Sequence, residues 1–164
     1  MATKKNLLSV LLISIILIVS SCSVSKEARE LKNTINGNWQ LQSVVTEGIN
    51  GRFKATIFNE EDFNCFIGST WHFEKHSGTG YYRIDQNQNE CAAIQRNIRW
   101  SIFEAKDQPR LVQFKRLDNA GKELDGGNGY RFTVVSMTDK ELKLRNDMQF
   151  EGKAVSFTYK FVRL

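Results

Sequence analysis

From residue 38 to its end, the chain is a series of short segments in which apolar and polar residues alternate. Alternation with a period of two places successive side chains on opposite faces of a β-strand. The segments are rich in Val, Phe, Thr and Tyr, which favour strands, and the 164 residues include a single Pro. The pattern predicts an all-β domain with eight strands, at residues 38–46, 65–75, 80–85, 97–105, 110–117, 129–137, 141–146 and 153–164.

The predicted connections alternate between long and short. Long connections at residues 47–64, 86–96 and 118–128 follow the first, third and fifth strands, and short turns follow the second, fourth and sixth. In an antiparallel up-and-down barrel, alternate connections lie at opposite ends. The sequence therefore predicts a closed eight-stranded up-and-down β-barrel with a mouth of long loops and a floor of tight turns. Within the first loop, residues 53–58 are expected to form a helical turn or a short strand.

The first 21 residues have the features of a signal peptide. Lys4 and Lys5 form a positive start, and residues 7–19 form an apolar stretch that is too short for a comfortable membrane span. The segment 19–22, Val-Ser-Ser-Cys, resembles the lipobox of bacterial lipoproteins. An ordinary cleaved signal followed by a spectator cysteine is the alternative.

The lipobox resemblance implies that Cys22 becomes the mature N-terminus and carries acyl chains, which hold a protein on a bilayer. Ser23 follows, whereas an Asp at this position is disfavoured in lipoproteins sent to the outer membrane. The resemblance thus implies a lipid anchor in the bacterial envelope, at the outer membrane, with either its periplasmic or its surface face. Residues 22–36 are expected to form a tether with a short helix at 27–35, or a plain linker.

The mature chain carries little net charge. Removal of residues 1–21 takes away Lys4 and Lys5, so the formal net charge falls from +5 to +3. The basic residues are scattered singly through the predicted strands, where they form a solvated face, and nucleic acid is not an expected partner. The remaining length, about 140 residues, suits one domain with its own core, predicted at residues 37–164.

A Gly-x-Trp motif, Gly37-Asn38-Trp39, stands at the start of the first predicted strand. Together with eight meandering strands and loops sorted by end, it resembles the lipocalins, and more narrowly the lipocalin-like lipoproteins of bacterial envelopes. The resemblance implies that Arg163 packs over Trp39 and that Thr138 and Asp139 open the turn between the sixth and seventh strands. These residues all fall at the predicted floor. A β-sandwich with Trp39 as an ordinary core residue is the alternative.

Cys65 and Cys91 remain as an even pair once Cys22 is assigned to the lipid anchor. Secreted proteins reside in oxidising compartments, where paired cysteines form disulfides. Both cysteines fall at the predicted mouth, so a bridge would fasten the long first loop there. Two buried free thiols are the alternative.

No metal, cofactor or catalytic group is expected. His72 and His76 are about 13 Å apart if they share one strand. Asp118, Asp125 and Asn128 follow the spacing of no calcium-binding loop. The sequence contains no catalytic motif such as Gly-x-Ser-x-Gly or His-Glu-x-x-His, so an enzyme is not predicted.

The alternation also predicts which side chains line the barrel. Lower layers are assigned to Trp39, Trp71, Phe73, Tyr159 and Phe161, while Tyr81 and Tyr82 compete for one inward position. The inward positions nearest the mouth, which are the candidate ligand-binding residues, are Ile84, Trp100, Phe114, Tyr130, Phe132, Asn146 and Phe157.

Two functions fit this aromatic interior. In the first, a lipid-anchored envelope protein binds a small hydrophobic molecule in the barrel, with the first long loop as a lid. In the second, the barrel is filled and the mouth loops bind a protein, as an inhibitor or an assembly factor would.

Overall fold

The computed structural model describes residues 24–49, 54–85, 91–105, 107–150 and 152–164, with only the backbone of Phe150. The predicted signal peptide and Cys22 lie outside these ranges, as does the start of the segment 53–58 predicted to be ordered. Across the ranges described, no helix has the length and apolar character needed to cross a bilayer.

Eight antiparallel strands close into one barrel within this part of the chain. Consecutive strands of the barrel pair with each other, and the first, Gly37–Glu47, closes the ring by pairing with both the second, Thr70–Glu74, and the last, Lys153–Arg163. Two further strands of two residues each form a separate hairpin. The strands are β1 Gly37–Glu47, β2 Thr56–Ile57, β3 Glu61–Asp62, β4 Thr70–Glu74, β5 Thr79–Ile84, β6 Ile94–Phe103, β7 Leu111–Leu117, β8 Tyr130–Met137, β9 Glu141–Phe150 and β10 Lys153–Arg163.

The predicted fold class is confirmed, and the connections are sorted as expected. The long connections after β1, β5 and β7 lie at the mouth, because those strands end there. The short connections after β4, β6 and β8 lie at the floor. Most inward positions are apolar, as in β10, where Val155, Phe157, Tyr159 and Phe161 are all buried.

Several predicted strand boundaries are wrong, two of them by four residues or more. The second predicted strand began at residue 65, but Phe63–Phe66 is a short 3-10 helix whose first turn is capped by Asp62, and β4 begins at Thr70. The positive φ of Gly68, +88°, separates the two. The seventh predicted strand ended at residue 146, whereas β9 continues to Phe150 because its partner β10 extends equally far.

The residues of the Gly-x-Trp motif close the floor. The Trp39 side chain is fully buried, its Nε1 donates to the Ile35 carbonyl at 2.7 Å, and the Arg163 guanidinium lies 4.3 Å from its ring centre. Gly37 has φ +120°, and a Cβ there would lie 2.8 Å from the Arg163 guanidinium. The φ favours glycine, because other residues rarely adopt it, and a Cβ would also force the Arg163 guanidinium to shift.

Arg163 connects three elements of the floor. Its guanidinium donates to the carbonyls of Thr34 and Asn36 at the end of the N-terminal helix, and to the carbonyl of Asp139 in the turn between β8 and β9. That turn is closed by Thr138, whose hydroxyl accepts from the backbone N–H of Glu141 at 2.9 Å. A cation at a helix C-terminus is favoured by the helix dipole.

The N-terminal helix, α1 (Lys26–Ile35), covers the floor. Its start is fixed by Ser25, whose hydroxyl caps the helix and donates to Glu104 at 2.7 Å, at the floor turn between β6 and β7. Its buried residues Leu31 and Ile35 pack on the core, and its last residue precedes β1. The helix therefore crosses the floor from the β6–β7 turn to the start of β1.

The predicted disulfide between Cys65 and Cys91 is confirmed, with a Cα–Cα distance of 5.6 Å. It joins the 3-10 helix of the first mouth connection to the connection between β5 and β6. Replacing both cysteines with serine is expected to lower the free energy of unfolding by about 3 kcal/mol, because the bridge constrains the unfolded chain. Denaturant unfolding measures this loss. Reduction of the native protein should reproduce it, and unchanged stability after complete reduction would contradict it.

Candidate functional site

The first mouth connection forms a lid, residues 54–69, over the barrel. Its β2–β3 hairpin turns at Phe58 and Asn59, which have φ values of +55° and +50°, and Glu60 N–H donates to the Ile57 carbonyl at 3.1 Å. A positive φ is uncommon for an aromatic residue and is held only where surrounding contacts compensate for its strain. The conformation of the hairpin tip therefore depends on what Phe58 contacts.

Phe58 inserts its ring into the centre of the barrel. The side chain is 6% exposed, although its backbone belongs to a loop. Aromatic rings pack well at centroid separations of 4.5–7 Å. The Phe58 ring lies 5.1–6.3 Å from seven others, those of Phe66, Trp71, Tyr82, Phe114, Tyr130, Phe132 and Tyr159. We call the space enclosed by these rings the chamber.

The lid leaves almost no free volume in the chamber. A cavity of about 10 Å³ remains beneath Phe58, bounded by apolar side chains that include Trp71, Val112 and Leu144. This is about the smallest space that holds a single water molecule. A ligand can therefore enter the chamber only by displacing the Phe58 ring.

Glu60, two residues after Phe58, places its carboxylate among donors from the barrel wall. Tyr82 on β5 donates its hydroxyl at 2.8 Å, Arg96 on β6 donates its Nε at 2.7 Å, and an Arg116 nitrogen on β7 lies at 2.6 Å. The side chains of Glu60 and Arg116 are 4% and 7% exposed. Burial, followed by the neighbouring Glu60 carboxylate, raises the pKa of Tyr82, so its hydroxyl stays a donor.

Asp125, in the connection between β7 and β8, completes this group. Arg116 donates to both of its carboxylate oxygens, at 2.7 and 2.5 Å, and Tyr130 donates its hydroxyl at 3.1 Å. The Arg116 guanidinium holds the pKa of Asp125 down at about 2. Two arginines thus balance two carboxylates, and we call Glu60, Arg96, Arg116 and Asp125 the ion cluster.

Three of the seven candidate ligand-binding residues line the chamber. Phe114, Tyr130 and Phe132 all have their rings within 6 Å of the Phe58 ring. Ile84 is buried at the mouth end of β5, and Phe157 is buried 5.8 Å, between ring centres, from Phe63 of the lid. Phe157 therefore lies beneath the lid, and Ile84 belongs to the wall near the mouth.

Trp100 and Asn146 lie away from the chamber centre. Trp100 Nε1 donates to the carbonyls of Glu74 and Thr79 beside a floor turn, and the Lys32 ammonium lies over its ring. Its position therefore belongs to the floor, whereas the sequence pattern had placed it near the mouth. The Asn146 amide donates to the Arg131 carbonyl at 2.9 Å, so its polar group bridges β9 and β8.

Sequence reasoning missed Phe58, Glu60, Arg96 and Arg116. The two arginines do carry a signal, because Arg96 is in phase with Ile98 and Arg116 with Phe114, on the inward faces of β6 and β7. An arginine in the apolar phase of a barrel strand requires a buried anion. No comparable signal marked Phe58, since the loop around it has no periodicity.

A larger concavity, of about 1040 Å³, lies on the outer surface and is open to solvent. Its lining includes the outward side chains of Arg99, Gln113, Lys115 and Arg131. Arg99 and Lys115 both pair with Glu123, at 3.2 and 2.8 Å, so their charges are already balanced. The chamber, which encloses its occupant on all sides, is therefore the better candidate site.

A metal site finds no support in the residues that the structure describes, where no three His, Cys, Asp or Glu side chains could hold an ion. Two of the three residues considered for calcium, Asp118 and Asp125, have other roles. Asp125 binds Arg116, and an Asp118 oxygen accepts from the N–H groups of Ala120 and Lys122, at 2.9 and 2.8 Å.

Comparison with known proteins identifies one family. The family model of the lipocalin-like domain matches residues 35–144, which is more than half of the chain. The matched segment runs from the last residue of α1 through most of the barrel strands. The match includes the lid and every member of the ion cluster. No curated protein sequence matches the chain.

Among solved structures, the similar chains include bovine odorant-binding protein. Its complex with a selenium-containing odorant is 14% identical, with a TM-score of 0.42, over 87% of this chain and 78% of that chain. Its complex with undecanal is 12% identical, with a TM-score of 0.40, over 87% and 76%. A deswapped triple mutant of the same protein is 13% identical, with a TM-score of 0.41, over 80% and 74%.

Proposed function

Since the chain belongs to the lipocalin-like domain family, we propose that it binds a small hydrophobic molecule in the chamber that Phe58 occupies in this structure. The observation that carries this proposal is that the ring filling the chamber, that of Phe58, comes from the lid. Its contacts are those of a bound aromatic molecule, yet it belongs to a loop and not to the barrel wall. A lid residue can leave the chamber without breaking the hydrogen bonds between the barrel strands.

The energetics support exchange of this ring for a ligand. The positive φ of Phe58 is strained for an aromatic residue, so withdrawal of the lid releases strain while it loses ring contacts. A ligand of similar shape restores those contacts with the wall. The apparent affinity for such a ligand is reduced by the fraction of molecules in which Phe58 fills the chamber.

Replacing Phe58 with alanine is therefore expected to tighten the binding of toluene, which has the shape of the lost side chain, by about tenfold or more. Isothermal titration calorimetry of the full-length protein in a nonionic detergent, with a detergent-only baseline, measures this change. Phe161→Ala is the matched control, because Phe161 is equally buried but belongs to β10. An equal gain in toluene affinity in both variants would show that the gain comes from cavity formation alone. Absence of toluene binding by Phe58→Ala would overturn the proposal.

The small volume of the residual cavity favours a second candidate function. With only about 10 Å³ free, the barrel can serve as a solid scaffold whose mouth loops bind a protein. Native mass spectrometry of the protein purified from its own envelope separates the two. A copurifying apolar molecule supports the first function, and a stoichiometric protein partner supports the second.

We further propose that Cys22 is acylated and anchors the domain to the bacterial outer membrane. The support is the sequence around Cys22 together with the position of Ser25, which is hydrogen-bonded to Glu104 at the floor. Ser25 is three positions after Cys22, and three residues of any chain span at most about 10 Å. The anchor would therefore hold the floor toward the bilayer and leave the mouth facing away from it.

Cys22→Ala is expected to move the protein from the membrane fraction to the soluble fraction after cell lysis, because it removes the acylated residue. Immunoblotting of the separated fractions measures the shift. Cys65→Ser is a control that changes a cysteine without touching the anchor. A Cys22→Ala protein whose signal is cleaved but which stays in the membrane fraction would contradict the anchor.

A further inference from the structure

We infer that the ligand carries a carboxylate: the chamber takes a small apolar molecule with one carboxyl group, whose apolar part replaces the Phe58 ring and whose carboxylate replaces that of Glu60. This inference rests on the proposed function and adds the chemical class of the ligand. Phe58 and Glu60 belong to the same hairpin and would leave the chamber together. The Phe58 ring and the Glu60 carboxylate thus present the same two groups to the barrel wall as an aromatic acid would.

The donors that bind the Glu60 carboxylate belong to the barrel wall. Tyr82, Arg96 and Arg116 stand on the three consecutive strands β5, β6 and β7, and all three point into the barrel. Their polar atoms lie 2.6–2.8 Å from the carboxylate oxygens of Glu60. When the lid withdraws, these donors remain in place beside the emptied chamber.

The charge balance explains why the replacement should be an anion. With the lid closed, Arg96 and Arg116 face Glu60 and Asp125, so the cluster is neutral. Withdrawal of Glu60 leaves one excess positive charge: Arg116 keeps Asp125, whereas Arg96, whose side chain is 27% exposed with the lid closed, loses its carboxylate. A partly buried charge without a partner is unfavourable. A neutral ligand leaves this charge unpaired, whereas a carboxylate restores the balance.

Asp125 does not compete for this role. It belongs to the connection between β7 and β8, and its two oxygens already accept from Arg116. One contact with the lid, from Asn59 Nδ2 at 3.1 Å, would be lost on opening, which leaves Asp125 still bound by Arg116 and Tyr130. Arg116 is therefore held in position to bind a carboxylate through its remaining nitrogen.

The experiment compares two ligands that share a carbon skeleton and differ in the terminal group, a carboxylate in one and a neutral alcohol in the other. 4-Phenylbutyrate and 4-phenylbutanol are titrated by calorimetry into the full-length protein in a nonionic detergent, with detergent-only baselines. The acid is expected to bind at least about tenfold more tightly than the alcohol, because the alcohol leaves the partly buried charge of Arg96 without a partner. Binding of the acid should also release the lid, seen as a change in the fluorescence of Trp71, which lies 5.9 Å from Phe58.

Two variants locate the preference in the ion cluster. Arg96→Gln is expected to reduce the preference for the acid by about tenfold, because it removes one of the two cations. Glu60→Gln is expected to tighten the binding of the acid, because it weakens the competing lid while leaving the wall intact. Arg99→Gln is the matched control, since Arg99 lies on the same strand, faces outward and is 57% exposed.

The possible failures are distinguishable. If the acid and the alcohol bind with equal affinity to the native protein and to Phe58→Ala, the chamber is a ligand site but the carboxylate inference is overturned. If neither ligand nor toluene binds to the native protein or to Phe58→Ala, the proposed function fails as well. A preference for the acid that survives undiminished in Arg96→Gln, binding of the acid that does not tighten in Glu60→Gln, or a preference that disappears in Arg99→Gln would also overturn the inference.

Discussion

Replacing Arg116 with methionine is expected to lower the free energy of unfolding by about 3–5 kcal/mol, as removal of one partner from a buried ion pair does. Arg116 bonds to both carboxylates of the ion cluster, Glu60 and Asp125, and all three side chains are less than 10% exposed. Methionine fills much of the same space but leaves Asp125 without its bidentate partner. Chemical denaturation monitored by tryptophan fluorescence measures the loss.

A second substitution tests the cause. Adding Glu60→Gln to Arg116→Met is expected to recover part of the loss, since it removes one of the two carboxylates that the first change leaves under-compensated. Lys115→Met is the matched control on the same strand, because Lys115 faces outward and is 41% exposed; its effect should stay within about 0.5 kcal/mol. A loss in Arg116→Met no larger than that of the control would show that the ion cluster is not essential to the fold.

Trp39→Ala is expected to lower the free energy of unfolding by about 3–5 kcal/mol, the usual cost of removing a buried tryptophan. The Trp39 side chain is fully buried at the floor, and its loss also removes the surface on which the Arg163 guanidinium lies. Because Trp39 is not one of the rings that form the chamber, the affinity for toluene should change by no more than about twofold. Denaturant unfolding and calorimetry measure the two quantities.

Trp39→Phe separates the two contributions of this residue. It retains an aromatic ring beneath Arg163 but loses the hydrogen bond to the Ile35 carbonyl. We expect a smaller loss, of about 1–2 kcal/mol, as for a buried acceptor left without its partner. If Trp39→Ala and Trp39→Phe destabilise the protein equally, the ring does not support the floor and the role of the motif is limited to its hydrogen bond.

These predictions assign different tasks to the two ends of the barrel. The floor is held by α1, Trp39 and Arg163, which are joined by hydrogen bonds from side chains to backbone carbonyls and by close contacts. The mouth is closed by a lid whose contacts with the wall include the side chains of Phe58 and Glu60. A change at the floor should therefore alter stability, whereas a change of lid side chain should alter occupancy of the chamber.

The architecture could be predicted from the sequence because its signals are local. Alternation along each strand depends on successive side chains, and turn chemistry depends on a few neighbouring residues. The floor could be predicted for a related reason, since Gly37 and Trp39 form a short motif at a strand start and Arg163 ends the last strand. The pairing of Cys65 with Cys91 followed from loops that the strand order brings to one end.

The contents of the barrel were decided by tertiary structure. Whether Tyr81 or Tyr82 points inward depends on the pairing of β5 with both neighbours, and the structure buries Tyr82. The insertion of Phe58 depends on a positive φ that local preference opposes and that only the surrounding rings stabilise. Glu60 and Arg116 are 56 positions apart in the numbering, so their buried pairing forms only when the lid meets β7. Periodic patterns specify which elements form, whereas an aperiodic loop is ordered by contacts that exist only after the barrel has closed.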